Sequence, residues 1–89
     1  MMSLKEIGEK MQNLDNWSLE IDSIVKNFSF NNFKESLEFI NKVGEIAEKN
    51  QHHPDILILY NQVRLTLTTH SVKGLSEKDF VVAGEIDKL

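Results

Sequence analysis

The chain contains no cysteine, one proline and four glycines among its 89 residues. Without cysteine there can be no disulfide, no thiolate nucleophile and no thiolate metal ligand. That usage fits a reducing compartment, and the cytoplasm is the expected location. Proline and glycine are too sparse to build a flexible linker, so residues 1–89 are expected to form a single domain. The opening MMSLKEIGEKMQ lacks the apolar core of a signal peptide. No segment approaches the roughly 20 apolar residues that span a bilayer, so no membrane association is expected. Like charges nowhere form a run, and the formal net charge is −4. Phosphate backbones need a basic face, so direct nucleic-acid binding is not expected.

What remains is an ordinary globular composition, 40% hydrophobic and 27% charged. A domain this short has a thin core, and self-association is one way to gain burial. Ser3-Leu4-Lys5-Glu6 reads as a capping box, and Leu4, Ile7 and Met11 recur at helical spacing, which predicts a helix over residues 4–13. Trp17 to Ile21 and Ile24 to Phe30 alternate about Asp22-Ser23, predicting a hairpin. Asn32 caps a second helix carrying Phe33, Leu37, Ile40 and Ala47 on one stripe, ending near Asn50 because Pro54 blocks its continuation. Ile56 to Tyr60 and Val63 to His70 predict a second hairpin, with a turn at Asn61-Gln62. Ser76-Glu77-Lys78-Asp79 caps a third helix whose inner face holds Phe80, Ala83 and Ile86. The order α-β-β-α-β-β-α predicts an α+β fold, a four-stranded antiparallel sheet with helices packed on one face.

All three histidines fall around the second hairpin. A turn at Asn61-Gln62 pairs Tyr60 with Val63 and, carried along the ladder, sets His53 opposite His70 with His52 alongside. The same pairing leaves Leu57 and Leu59 on the second face, where another subunit is the expected cover. Imidazole is the side chain whose ordinary pKa, about 6.5, lies nearest neutrality. A histidine cluster can therefore hold one ring as acid and another as base, which suits an elimination of water.

The spacing Glu48-x3-His52-His53-Pro54-x5-Tyr60-x9-His70-x8-Asp79 resembles the signature of the pterin-4a-carbinolamine dehydratases. Trp17, Lys26-Asn27-Phe28-Ser29-Phe30, Phe33, Phe39, Tyr60-Asn61-Gln62-Val63, Leu67-Thr68-Thr69-His70 and Gly74-Leu75-Ser76 are similar too, so the likeness spans residues 14–87. The resemblance implies a lyase acting on 4a-hydroxytetrahydrobiopterin or a related 4a-hydroxytetrahydropterin, in recycling of tetrahydrobiopterin. It implies His52, His53 and His70 as the catalytic histidines, and Glu48 and Asp79 as the acidic motif positions. Gln51, Thr68, Thr69 and Ser71, with the histidines, correspond to substrate-contacting segments. No metal or organic cofactor is implied, since the pterin is the substrate. Homodimers or homotetramers are expected, with a protein partner as a further family property. The chain departs from the family at Ile56, where a tryptophan is usual.

Each residue also has a purely structural reading. Asp79 could simply cap its helix, Glu48 could be a solvated helix acid, and Thr68 and Thr69 could reflect strand propensity. Adjacent strand residues point to opposite faces, so His52 and His53 would chelate one metal ion poorly. The alternative function is an interaction or regulatory module, favoured by the doubly apolar strand around Ile56.

Overall fold

The structure, a computed structural model, describes residues 2–89. Helix α1 runs Leu4–Met11 and is closed at its start by the expected capping box, in which Glu6 N donates to Ser3 Oγ at 3.1 Å and Ser3 N donates to Glu6 Oε1 at 3.1 Å. Those bonds from Ser3, the backbone one first, hold the Glu6 carboxyl below its usual range. Strand β1 is only Ser18–Leu19, and β2 runs Ile24–Ser29, the reversal between them closed by Glu20 N donating to Ser23 O at 2.8 Å. Helix α2 runs Phe33–Asn50, capped by Asn32 Oδ1, which accepts from Glu35 N at 2.9 Å. Then follow β3 at Asp55–Leu59, β4 at Gln62–Leu67, a single 3-10 turn at His70–Val72 and α3 at Glu77–Ile86.

The four strands form one antiparallel sheet in the order β1-β2-β4-β3. Its inner face carries Ile24 from β2 and Val63, Leu65 and Leu67 from β4, all buried, with Phe28 and Ile58 packed beside them. The helices supply Val43 from α2 and Phe80, Val82, Ala83 and Ile86 from α3. Phe39 of α2 wedges between Phe28 and Phe30, with ring centroids 4.6 and 5.0 Å away. The expected α+β architecture, with three helices and four strands in the anticipated order, is what the chain adopts.

The second hairpin differs from expectation in register. Its turn is Tyr60-Asn61, and Leu59 pairs with Gln62, Ile58 with Val63 and Ile56 with Leu65. Asn61 is drawn into the turn by β2: its carbonyl accepts from Phe30 N at 2.8 Å and its Nδ2 donates to Phe30 O at 3.1 Å. Tyr60 then takes a left-handed conformation, φ 51°. The ladder is thus offset by two residues from the one read off the sequence. An offset of two preserves faces, so Leu57 and Leu59 still point away from the helices, 50% and 62% exposed. It does not preserve partners. His53 precedes β3 and His70 follows β4, so the two histidines are not opposed across the ladder. The remaining departures are small: α1 stops at Met11 rather than residue 13, and β4 stops at Leu67 rather than continuing to His70.

Candidate active site

The C-terminus of α2 determines where the adjacent histidines go. Gln51 adopts a left-handed conformation, φ 50° and ψ 42°. His52 N donates to Ala47 O at 3.1 Å and Gln51 N donates to Glu48 O at 3.2 Å. These two bonds make a Schellman motif, which reverses the chain. The usual glycine is absent, and the Gln51 side chain contributes its own bond, Nε2 to Glu48 O at 2.6 Å. After the reversal the two imidazoles part. His53 turns back to α2 and pairs through Nε2 with Glu48, in solvent. His52 turns inward toward α3, where its Nε2 lies 2.6 Å from Asp79 Oδ1. Buried Pro54 then leads the chain into β3.

Asp79 is fully buried, at 0% exposure. Its Oδ2 accepts from Thr69 Oγ1 at 2.8 Å and from Ser76 N at 2.9 Å. The Ser76 contact is the side-chain half of a capping box, so the capping role read from the sequence is present. The same carboxylate also holds His52, so the two roles coexist in one residue. Burying a carboxylate is costly unless it is paired and hydrogen-bonded, and three donors meet this one. Ser76 Oγ lies 2.7 Å from Thr69 Oγ1 and completes the network. Among the described residues, no buried side-chain nitrogen or oxygen lacks a partner.

His70 enters through Thr69. Thr69 N donates to Gly74 O at 2.8 Å and Gly74 N donates to Thr69 O at 3.3 Å, closing a small loop at its neck. His70 and Ser71 stand exposed on that loop. Asp79 therefore ties the residue preceding His70 to His52, and one carboxylate joins the two histidine-bearing segments. Thr68 anchors the loop on its other side, its Oγ1 donating to Asp22 O at 2.6 Å. Both threonine hydroxyls are thus engaged within the protein, whereas Gln51, His53, His70 and Ser71 face solvent. Sequence reasoning treated Ser76 only as a cap; its position three residues before Asp79 was the available sign of its membership in this network.

A cleft of about 510 Å³ lies elsewhere, lined by Lys26, Phe28, Phe30, Phe39, Lys42 and Asp87 among others, and shares no residue with the histidine network. Lys26 and Asp87 of that cleft already bind each other at 2.9 Å, and it holds no histidine, so it is a weaker marker of proton transfer than a buried carboxylate backing an imidazole. Among the described residues no group of three or more His, Asp and Glu side chains is arranged to hold a metal ion. Among them, too, no helix is long and apolar enough to cross a membrane.

The sequence profile of the family described as "Pterin 4 alpha carbinolamine dehydratase" matches residues 1–89. The chain belongs to this family. A Chloroflexus aurantiacus protein, provisionally named a pterin-4-alpha-carbinolamine dehydratase, is 47% identical over 88 residues, covering 99% of this chain and 95% of the relative. A Sulfolobus acidocaldarius protein of the same provisional name is 44% identical over 84 residues, covering 94% and 92%. Among solved structures, the Brucella melitensis "transcriptional coactivator/pterin dehydratase" superposes with a TM-score of 0.92 at 31% identity, covering 98% of this chain and 95% of that one. A pterin dehydratase-like protein identified as a RuBisCO assembly factor in the alpha-carboxysome shares the fold, with a TM-score of 0.66 at 19% identity over 82% of this chain and 84% of its own. Membership in the dehydratase family thus rests on a match along the whole chain, and the fold agrees with it.

Proposed function

We propose that the protein is a hydro-lyase that dehydrates 4a-hydroxytetrahydrobiopterin, or a related 4a-hydroxytetrahydropterin, to the quinonoid dihydropterin in cytoplasmic pterin recycling. The observation that carries this reading is the buried Asp79 carboxylate holding His52 at 2.6 Å beside the loop that presents His70. The substrate has a hydroxyl on a tetrahedral ring carbon next to a ring nitrogen that bears hydrogen. One imidazole of His52 and His70 takes that nitrogen's proton. A protonated histidine gives a proton to the hydroxyl as the carbon–oxygen bond breaks, water leaves, and a carbon–nitrogen double bond forms. Atoms and charge balance without a redox partner, so neither a metal nor an organic cofactor is required. His53 with Glu48 lies at the solvent-facing edge, and Gln51, Thr68, Thr69 and Ser71 belong to the segments that bound the pterin. Positioned acid–base groups contribute about 10²–10⁴-fold to such steps.

The test is the decay of freshly generated 4a-carbinolamine with and without the protein. Accelerated decay is expected, with the acceleration lost in His52→Ala and in His70→Ala. An unchanged spontaneous rate in the presence of the pure, folded wild type would refute the reading.

A second reading is supported by the far face of the sheet. β3 is an edge strand, and Leu57 and Leu59 on it are exposed. Edge strands with apolar faces invite pairing with another chain. The Brucella melitensis relative is described as a transcriptional coactivator as well as a pterin dehydratase. We propose that this edge receives a second copy of the chain, giving a homodimer or homotetramer, and that any regulatory protein partner acts on the assembled form. Light scattering on Leu57→Glu/Leu59→Glu should show a lower mass than the wild type; a monomeric wild type at micromolar concentration would rule the assembly out.

A further inference from the structure

We propose that Thr69 is a positioning residue that acts through Asp79, fixing His52 as the tautomer protonated on Nε2 and leaving Nδ1 as the nitrogen offered to the substrate. The inference rests on the reading of His52 as an acid–base residue and deepens it.

The proton inventory leads to this assignment. Thr69 Oγ1 has one hydrogen and donates it to Asp79 Oδ2 at 2.8 Å. The Ser76 hydroxyl, 2.7 Å from the same Oγ1, then donates to the threonine oxygen. Ser76 N supplies a second hydrogen to Oδ2 at 2.9 Å. Oδ2 is thereby occupied by two donors, and Oδ1 is the oxygen left for the imidazole. A carboxylate only accepts, so the nitrogen 2.6 Å from Oδ1 donates, and that nitrogen is Nε2. The other ring nitrogen is free for the reaction.

The chain geometry points the same way. Thr69 is 8% exposed, too buried for its hydroxyl to be spare, and it sits at the neck of the loop, bonded through its backbone to Gly74. A rotation of the Asp79 carboxylate would break three bonds at once. The threonine hydroxyl therefore locks the carboxylate plane, and the carboxylate locks the ring. The same residue begins the loop that carries His70, so the spacing between the two imidazole-bearing segments passes through Thr69.

The experiment uses the full chain labelled with nitrogen-15, with the His52 ring nitrogens assigned by comparison with His52→Ala. In the neutral wild type the Nε2–H form is expected to dominate. In Thr69→Val, nearly isosteric but without the hydroxyl, Oδ2 is held by Ser76 N alone and the carboxylate can turn away from the imidazole, so the ring should become a mixture of tautomers. Dehydration should show kcat falling about tenfold, in the range typical of residues that orient a ligand through a second group, with KM within a factor of two. Thr69→Ser should restore both. Thr69→Ala serves if the valine variant folds poorly. An unchanged tautomer in the variants lacking the hydroxyl would overturn the proposal, and so would a rise in KM with the tautomer and kcat intact, since that marks a substrate contact. A protein without dehydratase activity would still report the tautomer, so failure of the enzyme reading and failure of this inference remain distinct.

Discussion

The Oδ1 atom of Asp79 lies 2.6 Å from Nε2 of His52, a contact between the first turn of α3 and the segment just past α2. Two features bring it about. The Schellman reversal at Gln51 turns His52 off the helix axis, and the Ser76 cap presents Asp79 from the opposite side. Because the carboxylate is completely buried, nothing else in solution can take the place of its partners.

Removing that carboxylate should damage both stability and chemistry. In Asp79→Ala, Ser76 N, Thr69 Oγ1 and His52 Nε2 all lose an acceptor. Removing one partner of a buried charged contact costs about 3–5 kcal/mol, and a loss of that size is expected from urea unfolding. Asp79→Asn retains an oxygen and should lose less stability, while its dehydration rate should fall about 10²-fold or more because the neutral amide cannot stabilise the imidazolium formed when His52 takes up a proton. A fold as stable as the wild type with full activity in Asp79→Asn would show that the charge is dispensable.

A second, half-buried carboxylate joins the end of α3 to the start of the sheet. Asp87 accepts from Lys26 Nζ, Trp17 Nε1 and Asp15 N, each at 2.9 Å. The Lys26 and Asp87 side chains are only 11% and 12% exposed. Asp87→Ala leaves the Lys26 ammonium and the Trp17 N–H without their acceptor, so it is expected to cost about 1–3 kcal/mol. Replacing Lys26 by Met together with Asp87 by Leu should recover the part due to the stranded Lys26 charge, while Trp17 Nε1 still lacks its acceptor. Chemical denaturation of the single and double variants measures the difference.

These two carboxylates show which parts of the molecule could be read from the sequence. Helix starts were legible because caps are local: Ser3, Asn32 and Ser76 each act on residues three positions ahead. Strand faces were legible because the alternation has a period of two, which also made the inner set of Val63, Leu65 and Leu67 correct despite the wrong turn. The register was not legible, since it depends on Asn61 bonding Phe30 from a distant strand. That error placed His53 opposite His70. The convergence of the histidine segments instead runs through Asp79 and Thr69, and no periodicity encodes which carboxylate a histidine will find 27 residues away. The Asp87 hub was equally hidden, because Trp17 and Lys26 looked like ordinary strand residues with no mark of a shared partner.

The left-handed backbone at Gln51 sets stability against function. A side chain there costs roughly 1 kcal/mol relative to glycine, partly offset by the greater freedom of glycine in the unfolded chain. Gln51→Gly is therefore expected to hold or raise stability by up to about 1 kcal/mol, despite losing the Nε2 bond to Glu48 O. If the exposed Gln51 side chain contacts the pterin, the same variant should raise KM with kcat little changed. Thermal unfolding and steady-state kinetics on one preparation read both effects, and a variant that loses stability with KM unchanged would assign Gln51 a structural role only.

The C-terminal ends of α2 and α3 are joined by Glu85, whose carboxylate pairs with Lys49 and accepts from Asn50 Nδ2 at 2.7 Å. The bond from Lys49 foremost, then that from Asn50, holds the Glu85 carboxyl below its usual range. A carboxyl with a lowered value in the folded chain takes up its proton later on acidification than the same group in the unfolded chain. Its contribution to stability is therefore complete above the ordinary carboxylate range and is lost as pH falls through the folded value. The pair lies at the surface and salt screens it, so the effect should be modest and should shrink at high ionic strength. Glu85→Gln is expected to melt below the wild type at pH 7, with the two melting temperatures converging as pH drops below about 4, in the range where carboxylates become protonated. A gap that stays constant from neutral to acid pH would mean that Glu85 supports the helix pair through its packing and amide-like hydrogen bonding, and not through its charge.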